Sequence, residues 1–427
     1  MNKKMRGKYT KNLCIEYNGA IFEYYFTLMK IGIIKEFKSP PDKRVVFPPN
    51  KCIRAREKFP QLEFLIQKSD IRSFSDKEYE DLGISVVDDL SSSDVLIGVK
   101  EVPIDKLIPN KPYFFFSHTI KKQHYNKKLL QAIIEKNIQL HDHETIVNSN
   151  DIRLIGFGYY AGVIGTYNGL RALGLKQGLF NLPKACDLKD REEFNRELKK
   201  ITLPNIKIVL TGKGRVGSGA KEVLDFLNIK EISTEEYINN SFDQPVYVNA
   251  DVLDYNTRKD NNQSSVEDFY KNPQEYSSTF MKFCKYGDMF IAGHYHNPKA
   301  PKLISKENIS SEDFNIKVIA DISCDIDGPI VSTIRPSTIE DPIYGYDPIN
   351  FCEIDYMDKN AVVVMAVDNL PCELPRDASE AFADMFIEHV LPAFFNNDVE
   401  LILEKSKITE NRSLTPRFDY LQDFIID

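Results

Sequence analysis

Short apolar runs alternate with polar, helix-compatible stretches through the first third of the chain. The runs lie at Lys30–Ile34, Leu62–Ile66, Asp94–Lys100 and Tyr113–Ser117, and each is bounded by polar or turn residues. Strands that alternate with helical segments are typical of a mostly parallel sheet covered by helices. The pattern therefore predicts an α/β domain in this part of the chain.

A second set of apolar runs follows a stretch that is rich in small residues. Gly158–Leu173 carries glycine and alanine at spacings of three and four, which predicts a helix packed closely against another backbone. Strand-like runs then return at Ile206–Thr211, Asp288–Gly293, Ile316–Ser323 and Ala361–Val367. These runs predict a second sheet and hence a second α/β domain.

Composition narrows the classes of partner. The chain has 427 residues, of which 42% are hydrophobic and 28% charged, and its net charge is −8. Such a charge provides no global basic surface for nucleic acid or an anionic membrane, and no apolar run reaches the roughly 20 residues of a membrane helix. We expect a cytoplasmic protein that acts on small molecules.

A glycine-rich turn directly after the run Ile206–Thr211 predicts a nucleotide site. Gly212, Gly214 and Gly217 fit the pattern G-x-G-x-x-G between a strand and a helix, which is the dinucleotide-binding fingerprint. The acid that holds the ribose hydroxyls is expected about 20 residues further on, near Glu235 and Glu236. An acid there favours NAD over NADP, but both residues can equally be solvated charges at a helix cap.

Two candidate acid–base residues end neighbouring strand-like runs. Lys100 and His118 are both expected at the carboxyl edge of one parallel sheet, where ligands bind. A lysine in a dry pocket can have its pKa lowered far enough to act as a base, and an imidazole transfers protons near neutrality. Taken singly, each is more often a surface lysine or a buried, hydrogen-bonded histidine.

Arg44 and Arg153 are candidate carboxylate-binding residues, because a guanidinium group can form two parallel hydrogen bonds with a carboxylate.

No metal site is expected. His294 and His296 stand two residues apart after a strand-like run, but cysteine and acidic co-ligands at suitable spacing are missing.

Several segments, in order along the chain, together resemble the NAD-dependent, lysine-forming saccharopine dehydrogenases of the alanine dehydrogenase and transhydrogenase N-terminal superfamily. The matching segments are Lys38–Arg44, Ile97–Pro103, Phe116–His118 with Gln123, Arg153–Gly162, Gly212–Ala220, Ala320–Ser323 and Leu374–Glu380.

The resemblance implies a role for each matched position. Lys100 becomes the general base and His118 the general acid, with Arg44, Gln123, Arg153 and Phe157 around saccharopine. The residues implied in NAD binding are Gly212, Gly214, Arg215, Val216, Gly217, Glu236, Ala320, Asp321 and Ile322. The implied reaction converts saccharopine, NAD and water into lysine, 2-oxoglutarate and NADH.

Three features depart from the family pattern. Val216 stands where fungal members have a cysteine, so no redox control of the glycine loop is implied. Ile152 replaces an arginine expected before Arg153, which removes one cofactor contact. A long polar segment, about residues 234–286, is interpreted as an insertion.

The sequence thus predicts two Rossmann-like α/β domains with parallel sheets and an active-site cleft between them. We assign residues 1–28 to an N-terminal extension, residues 29–157 with about 340–400 to the substrate and catalytic domain, 158–339 to the NAD-binding domain, and 400–427 to a C-terminal tail. A monomer or homodimer is expected. Alanine dehydrogenase or another opine-type amino-acid dehydrogenase is one alternative, and a non-catalytic NAD-binding sensor is another.

Overall fold

The computed structural model describes residues 10–17 and 20–426. The chain divides into two compact units, Met1–Gly156 with Pro375–Asp427 and Phe157–Leu374. The first unit is therefore built from both ends of the chain. Of the predicted N-terminal extension, residues 1–9, 18 and 19 lie outside the described residues, as does residue 427 of the predicted tail.

A parallel sheet organises the first unit. Its described strands lie in the order β5-β4-β3-β6-β7-β8, and every neighbouring pair is parallel. Strands β1 and β2 form a separate antiparallel pair. The elements are β1 Thr10–Tyr17, β2 Ala20–Thr27, β3 Met29–Ile33, α1 Pro49–Lys58, β4 Leu62–Gln67, α2 Asp76–Glu80, β5 Ser85–Val87, β6 Val95–Ile97, β7 Pro112–Phe115, α3 Lys127–Glu135 and β8 Gln139–Asp142.

The central strands of this sheet are buried on both faces, which explains why they appear in the sequence as continuous apolar runs. Ile31 and Ile33 of β3 and Phe114 and Phe115 of β7 are all at most 1% exposed. The predicted alternation of strands and helices is confirmed in this unit.

A larger, mixed sheet organises the second unit. Its described strands lie in the order β10-β11-β9-β14-β15-β18-β16-β17, and the last two run antiparallel to their neighbours. The elements are α4 Gly158–Gln177, α5 Arg191–Leu198, β9 Lys207–Thr211, α6 Arg215–Phe226, β10 Lys230–Glu231, α7 Thr234–Asn239, β11 Val246–Ala250, β12 Asn256–Arg258, α8 Val266–Lys271, β13 Tyr276–Ser278, α9 Met281–Tyr286, β14 Met289–Ala292, α10 Lys306–Ile309, β15 Val318–Asp321, β16 Ile343–Tyr346, β17 Glu353–Ile354 and β18 Val362–Met365.

The boundaries of the second unit differ from those predicted. It continues to Leu374 and not to residue 339, because β18 pairs with β15 and β16 pairs with β18. The predicted insertion at 234–286 also divides: β11 pairs with β9 and belongs to the main sheet, whereas β12 and β13 pair only with each other among the described strands. Because β10 has only two residues and its neighbours in the sequence are polar, the sequence pattern did not predict that β11 belongs to the main sheet.

The C-terminal segment returns to the first unit and packs against its sheet. It contains α11 Pro375–Met385, α12 Ile402–Ser406, β19 Thr409–Glu410, β20 Ser413–Leu414 and α13 Gln422–Ile426. The Ser379 hydroxyl accepts a hydrogen bond from the Val45 backbone at 2.9 Å. Ile408, Phe418 and Leu421 join the core around Leu130 and Leu140. The predicted tail is therefore an integral part of the first unit.

Helices α4 and α6 pack backbone against backbone in the second unit, as the small residues of α4 predict. A Cβ atom added at Gly162 would lie 1.9 Å from the Val216 carbonyl oxygen, and one added at Gly219 would lie 2.0 Å from the Tyr159 carbonyl oxygen. Both distances are far inside van der Waals contact, so each glycine is required for the close approach of the helices.

We predict that Gly162→Ala lowers the free energy of unfolding by about 2–3 kcal/mol, because α4 and α6 must separate to admit the methyl group. Gly214→Ala is the matched control: a Cβ there meets nothing within 4 Å, so its effect is expected to stay within about 1 kcal/mol. Denaturant unfolding measures both. Equal midpoints for the two variants would contradict the packing argument.

Candidate functional site

The carboxyl edge of the first unit's sheet carries the two predicted acid–base residues. Strands β6 and β7 are parallel neighbours. Lys100 follows the end of β6 at Ile97, and His118 follows the end of β7 at Phe115. The structure therefore places both residues on segments that leave the same edge of one sheet, which is where ligands bind in open α/β folds.

Lys100 is held in a buried environment by a carboxylate that the sequence did not indicate. Lys100 is only 9% exposed. Its backbone N–H donates a hydrogen bond to Glu36 Oε2 at 2.8 Å. The Val99 N–H donates to the other oxygen of Glu36 at 2.7 Å. Burial, then the charges of Arg44 and Lys38, lowers the pKa of Lys100. The amine is therefore closer to its neutral, basic form than an ordinary lysine.

Glu36 itself is buried, and burial followed by the charge of Asp42 raises its pKa to about 8. Its two backbone hydrogen bonds anchor the segment that carries Lys100. The residue lies just beyond β3 and has no motif of its own, so only the spatial pairing of β3 with β6 reveals its role.

His118 is oriented by a second carboxylate, Glu101. His118 Nδ1 lies 2.7 Å from Glu101 Oε1, and Lys38 Nζ lies 3.9 Å from Glu101 Oε2. Burial acts to raise the pKa of Glu101, but the hydrogen bond with His118, a backbone hydrogen bond and the charges of Lys38 and His118 together lower it. His118 also has a φ of 53°, in the left-handed region that is uncommon for non-glycine residues. Nε2 is the ring nitrogen on the side away from Glu101.

Arg44 faces Asp42 in the structure. Its Nε donates to Asp42 Oδ1 at 3.0 Å and its Nη2 to Asp42 Oδ2 at 2.6 Å, and both residues are at most 4% exposed. Burial alone would raise the pKa of Asp42, but the charge and hydrogen bonds of Arg44 lower it. This pair lies close enough to Lys100 to affect its pKa.

Arg153 and Gln123 are more exposed. The Arg153 guanidinium carbon lies 5.4 Å from the centre of the Phe116 ring, and Nη1 lies 3.7 Å from Glu144 Oε1. Gln123 precedes a short 3-10 turn, and its oxygen accepts a hydrogen bond from the Tyr125 hydroxyl. Phe157 belongs to the second unit, where it precedes α4. The roles of these residues toward a substrate stay predictions.

The glycine loop connects β9 with α6 in the second unit. Gly212 has a φ of 95°, and a Cβ there would lie 2.4 Å from the Gly293 carbonyl oxygen. A Cβ at Gly217 would lie 1.8 Å from the Gly212 carbonyl oxygen. Gly214, by contrast, faces open space just before the first residue of α6, Arg215. The loop therefore leaves one face of its backbone open at the helix N-terminus, as a pyrophosphate site requires.

Val216 packs against α4. A Cβ added at Gly158, the first residue of α4, would lie 3.4 Å from Val216 Cγ2. The side chain also lies against Gly293, where an added Cβ would be 3.3 Å from Val216 Cγ1, so Val216 fills space between α4 and the end of β14.

The strand order adds a second candidate for the ribose acid. Glu236 forms a capping box with Ser233, its Oε2 accepting from the Ser233 N–H at 2.9 Å, at the start of α7. The strand next to β9 is β11, and Asp251 follows it directly. Asp251 Oδ2 lies 3.0 Å from Nζ of Lys213 in the glycine loop. In a Rossmann domain the ribose acid follows the strand next to the first one, a position that Asp251 occupies.

The predicted cofactor contacts at 320–322 lie at the end of β15 and beneath α4. A Cβ at Gly169 would lie 2.7 Å from Ala320 Cβ, and one at Gly165 would lie 2.6 Å from Ile322 Cγ1. The Asp321 carboxylate accepts hydrogen bonds from the Thr333 hydroxyl at 2.6 Å and the Ser323 hydroxyl at 2.7 Å. The two hydrogen bonds of Asp321 hold the segment that follows β15. The role of residues 320–322 in cofactor binding stays a prediction.

Comparison with known families places these features in context. The model of the alanine dehydrogenase/PNT N-terminal domain matches residues 32–164, and that of the C-terminal domain matches residues 244–415. Together the two matches cover more than two thirds of the chain. The chain belongs to the alanine dehydrogenase/PNT family of oxidoreductases.

Curated relatives extend the comparison. The chain is 27% identical to alpha-aminoadipic semialdehyde synthase of Arabidopsis thaliana over 92% of its own length, but it covers only 41% of that protein. It is 24% identical to saccharopine dehydrogenase [NAD(+), L-lysine-forming] of Yarrowia lipolytica, covering 77% of this chain and 83% of that one. The chain thus spans less than half of the plant relative.

A solved structure supports the fold. An L-alanine dehydrogenase superposes with a TM-score of 0.62 at 18% identity, covering 93% of this chain and 100% of that one. The predicted Rossmann-like α/β fold class is therefore confirmed, but the prediction of a parallel sheet is wrong for the second unit, whose sheet is mixed because β16 runs antiparallel to β18 and β17. Within the described residues, no helix is both long and apolar enough to cross a membrane.

We predict that Lys100→Met stabilises the folded protein by about 1 kcal/mol at neutral pH, because a buried amine is replaced by an apolar side chain of similar length. The pKa of Lys100 is lower in the folded than in the unfolded state. The wild type therefore gains stability as the pH rises from the folded pKa towards about 10, and the advantage of the variant shrinks over that window.

Unfolding in denaturant across this pH range measures the difference. Lys106, which is exposed in the same unit, provides the control Lys106→Met, which replaces a lysine by methionine without removing a buried amine and is expected to leave the unfolding midpoint nearly unchanged. An advantage of Lys100→Met that stays constant with pH would contradict the assignment of a lowered pKa.

Proposed function

We propose that the protein is an NAD-dependent oxidoreductase that acts on a C–N bond. Its reaction is the conversion of saccharopine, NAD and water into L-lysine, 2-oxoglutarate, NADH and a proton. The observation that supports this most directly is the pairing of a buried Lys100 of lowered pKa with a carboxylate-bound His118 at one sheet edge. The Yarrowia relative carries this activity in its name.

The two side chains divide the proton transfers. Lys100, as a neutral amine, takes the proton from the secondary ammonium of saccharopine and leaves a nitrogen lone pair that can form a double bond to carbon. The hydride of the glutamyl Cα would pass to NAD held at the glycine loop of the second unit. Water then adds to the resulting imine carbon, and His118 donates a proton to the departing lysine nitrogen. Arg153 and Gln123 are proposed to bind substrate carboxylates, with Arg44 acting through Asp42 and Lys100.

The second unit is proposed to seat the dinucleotide. Gly212, Gly214 and Gly217 shape the loop for the pyrophosphate, with Arg215 at the first turn of α6. Its open face at Gly214 fits a phosphate group, since a side chain there would occupy the space. We favour Asp251 over Glu236 as the acid that binds the ribose, because it follows the strand next to β9.

Alanine dehydrogenase activity is the alternative within the same family, since the matching domain models carry that name. It shares the hydride step but uses ammonia and pyruvate in the reverse direction, so substrates distinguish the two.

The first experiment follows NADH absorbance with purified protein and three substrate sets. We expect turnover with lysine plus 2-oxoglutarate, and with saccharopine plus NAD, but not with pyruvate plus ammonia. Lys100→Met is expected to lower kcat at least 100-fold with nearly unchanged NADH affinity, because it removes only a proton-transfer group. Turnover with pyruvate and ammonia alone would favour the alternative, and full activity of the variant would remove Lys100 from the mechanism.

The ribose acid is tested by a matched pair of variants. Asp251→Ala is expected to weaken NADH binding and shift preference towards NADPH by about tenfold, because it removes a charged hydrogen bond and releases Lys213 for a 2′-phosphate. Glu236→Ala is expected to keep the NADH to NADPH affinity ratio, because it removes only the capping box at the start of α7. If only Glu236→Ala changed the NADH to NADPH affinity ratio, Glu236 and not Asp251 would be the acid that binds the ribose. Fluorescence titration measures both ratios.

A further inference from the structure

A cavity of about 390 Å³ opens beside the sheet of the first unit, and we name it the β6 cavity. Its wall includes β6, the ends of β3 and β4, and the segments that follow β5 and β6. The apolar part of the wall is formed by Ile34, Leu90, Leu96, Val102 and Ile108. Sites for small molecules are mostly apolar and have volumes of about 300–1,000 Å³, so the β6 cavity is large enough for a small ligand.

Two hydrogen-bond donors in the wall of the β6 cavity have no acceptor among the described residues. Lys35 is half-buried, and its Nζ lies 5.5 Å from the centre of the Phe37 ring but forms no ion pair with a described carboxylate. Tyr113 is 1% exposed, and its oxygen accepts a hydrogen bond from the Ile108 N–H at 2.7 Å. The hydrogen of that hydroxyl has no acceptor in the described chain. Buried donors are nearly always paired, so both groups are available to a ligand.

The acidic residues of the same wall already have partners. Asp89 accepts hydrogen bonds from the backbone N–H of Ser91 at 3.1 Å and from the Ser91 hydroxyl. Asp105 Oδ2 lies 3.1 Å from Nζ of Lys106. The groups that remain are therefore a cation and a hydroxyl donor, and a ligand that complements them carries acceptor oxygens and a negative charge.

The β6 cavity differs from the proposed proton-transfer site. Glu36, Lys100 and His118 do not line it, although Phe37 and Val102, which are near them in the sequence, do. A ligand in the β6 cavity would therefore bind without contacting the residues to which the acid–base chemistry is assigned.

We propose that the β6 cavity binds a small carboxylate that carries an apolar chain. Lys35 forms an ion pair with the carboxylate, the Tyr113 hydroxyl donates to an acceptor oxygen of the ligand, and the apolar chain lies against Leu96 and Val102. The inference goes beyond the proposed function, because it assigns a second ligand site that takes no part in hydride or proton transfer.

The test compares 4-phenylbutanoate with 4-phenylbutanamide. The two probes share the apolar chain and a carbonyl oxygen, but only the first is charged. Calorimetry with the full chain is expected to show the carboxylate binding at least tenfold more tightly than the amide, because a hydrogen bond between two charged groups is stronger than one with a neutral acceptor.

A pair of lysine variants assigns this discrimination to the β6 cavity. Lys35→Met is expected to reduce the affinity ratio of the two probes to about one, because it removes the cation and keeps an apolar side chain. Lys128→Met is the matched control, since Lys128 is exposed on α3 and does not line the cavity. Its ratio is expected to stay at the wild-type value.

A pair of tyrosine variants tests the hydroxyl donor. Tyr113→Phe is expected to weaken both probes about fivefold and to keep their ratio, because both carry a carbonyl oxygen. Tyr79→Phe is the control: its hydroxyl donates to the Phe47 carbonyl at 2.9 Å, and neither residue lines the β6 cavity. This variant also loses a buried hydrogen bond, but it is expected to keep both affinities.

The outcomes separate this inference from the proposed function. Equal wild-type affinities for the two probes, binding of neither, or an unchanged ratio in Lys35→Met would overturn the β6 cavity as a carboxylate site. Lys100→Met is expected to bind 4-phenylbutanoate as the wild type does, and a loss of binding there would place the probe at the proton-transfer residues and overturn the inference. Turnover of the substrates decides the proposed function independently. If Tyr113→Phe fails to fold, the wild-type ratio and Lys35→Met still decide the matter.

Discussion

The contact between α4 and α6 is the constraint on which the second unit depends. Two glycines, one on each helix, allow carbonyl oxygens of the partner helix to approach to distances that no side chain permits. Because α6 begins directly after the glycine loop, its close packing against α4 fixes where the loop ends and where the helix N-terminus points. Gly217 extends the same principle into the loop, since its missing side chain leaves room for the Gly212 carbonyl. The loop shape therefore follows from packing, independently of any bound ligand.

The order of the parallel strands is the second constraint on the structure, because it brings segments that are distant in the sequence to the same edge of a sheet. In the first unit, β3 lies beside β6, so Glu36 meets the backbone of Val99 and Lys100. In the second unit, β9 lies between β11 and β14, so Asp251 and His294 flank the same glycine loop. Neither neighbourhood can be inferred from spacing along the chain.

These two effects explain what the sequence could and could not predict. The strands at 30–34 and 206–211 were predictable because each is a continuous apolar run, and α4 was predictable from its small residues. Lys100 and His118 could be placed at a sheet edge because each directly follows a strand. Asp251 was not considered because the ribose acid was expected about 20 residues beyond the glycine loop, whereas the strand beside β9 is β11, which ends much further along the chain. Glu36 and Glu101 were not assigned because a carboxylate acquires such a role only from the atoms around it.

The buried ionisable groups of the first unit are consistent with the proton transfer that we propose for Lys100. Glu36, Asp42, Arg44 and Lys100 are all less than 10% exposed. Burying an ionised group costs several kcal/mol unless it is paired, and burial raises the pKa of Glu36 and so favours its neutral form. Arg44 is paired with Asp42, and Glu36 accepts two backbone hydrogen bonds. Lys100 differs, because burial and then the charges of Arg44 and Lys38 lower its pKa. An apolar residue would be more stable at this position, so stability alone does not account for the lysine. A base that must accept a proton near neutrality requires this lowered pKa.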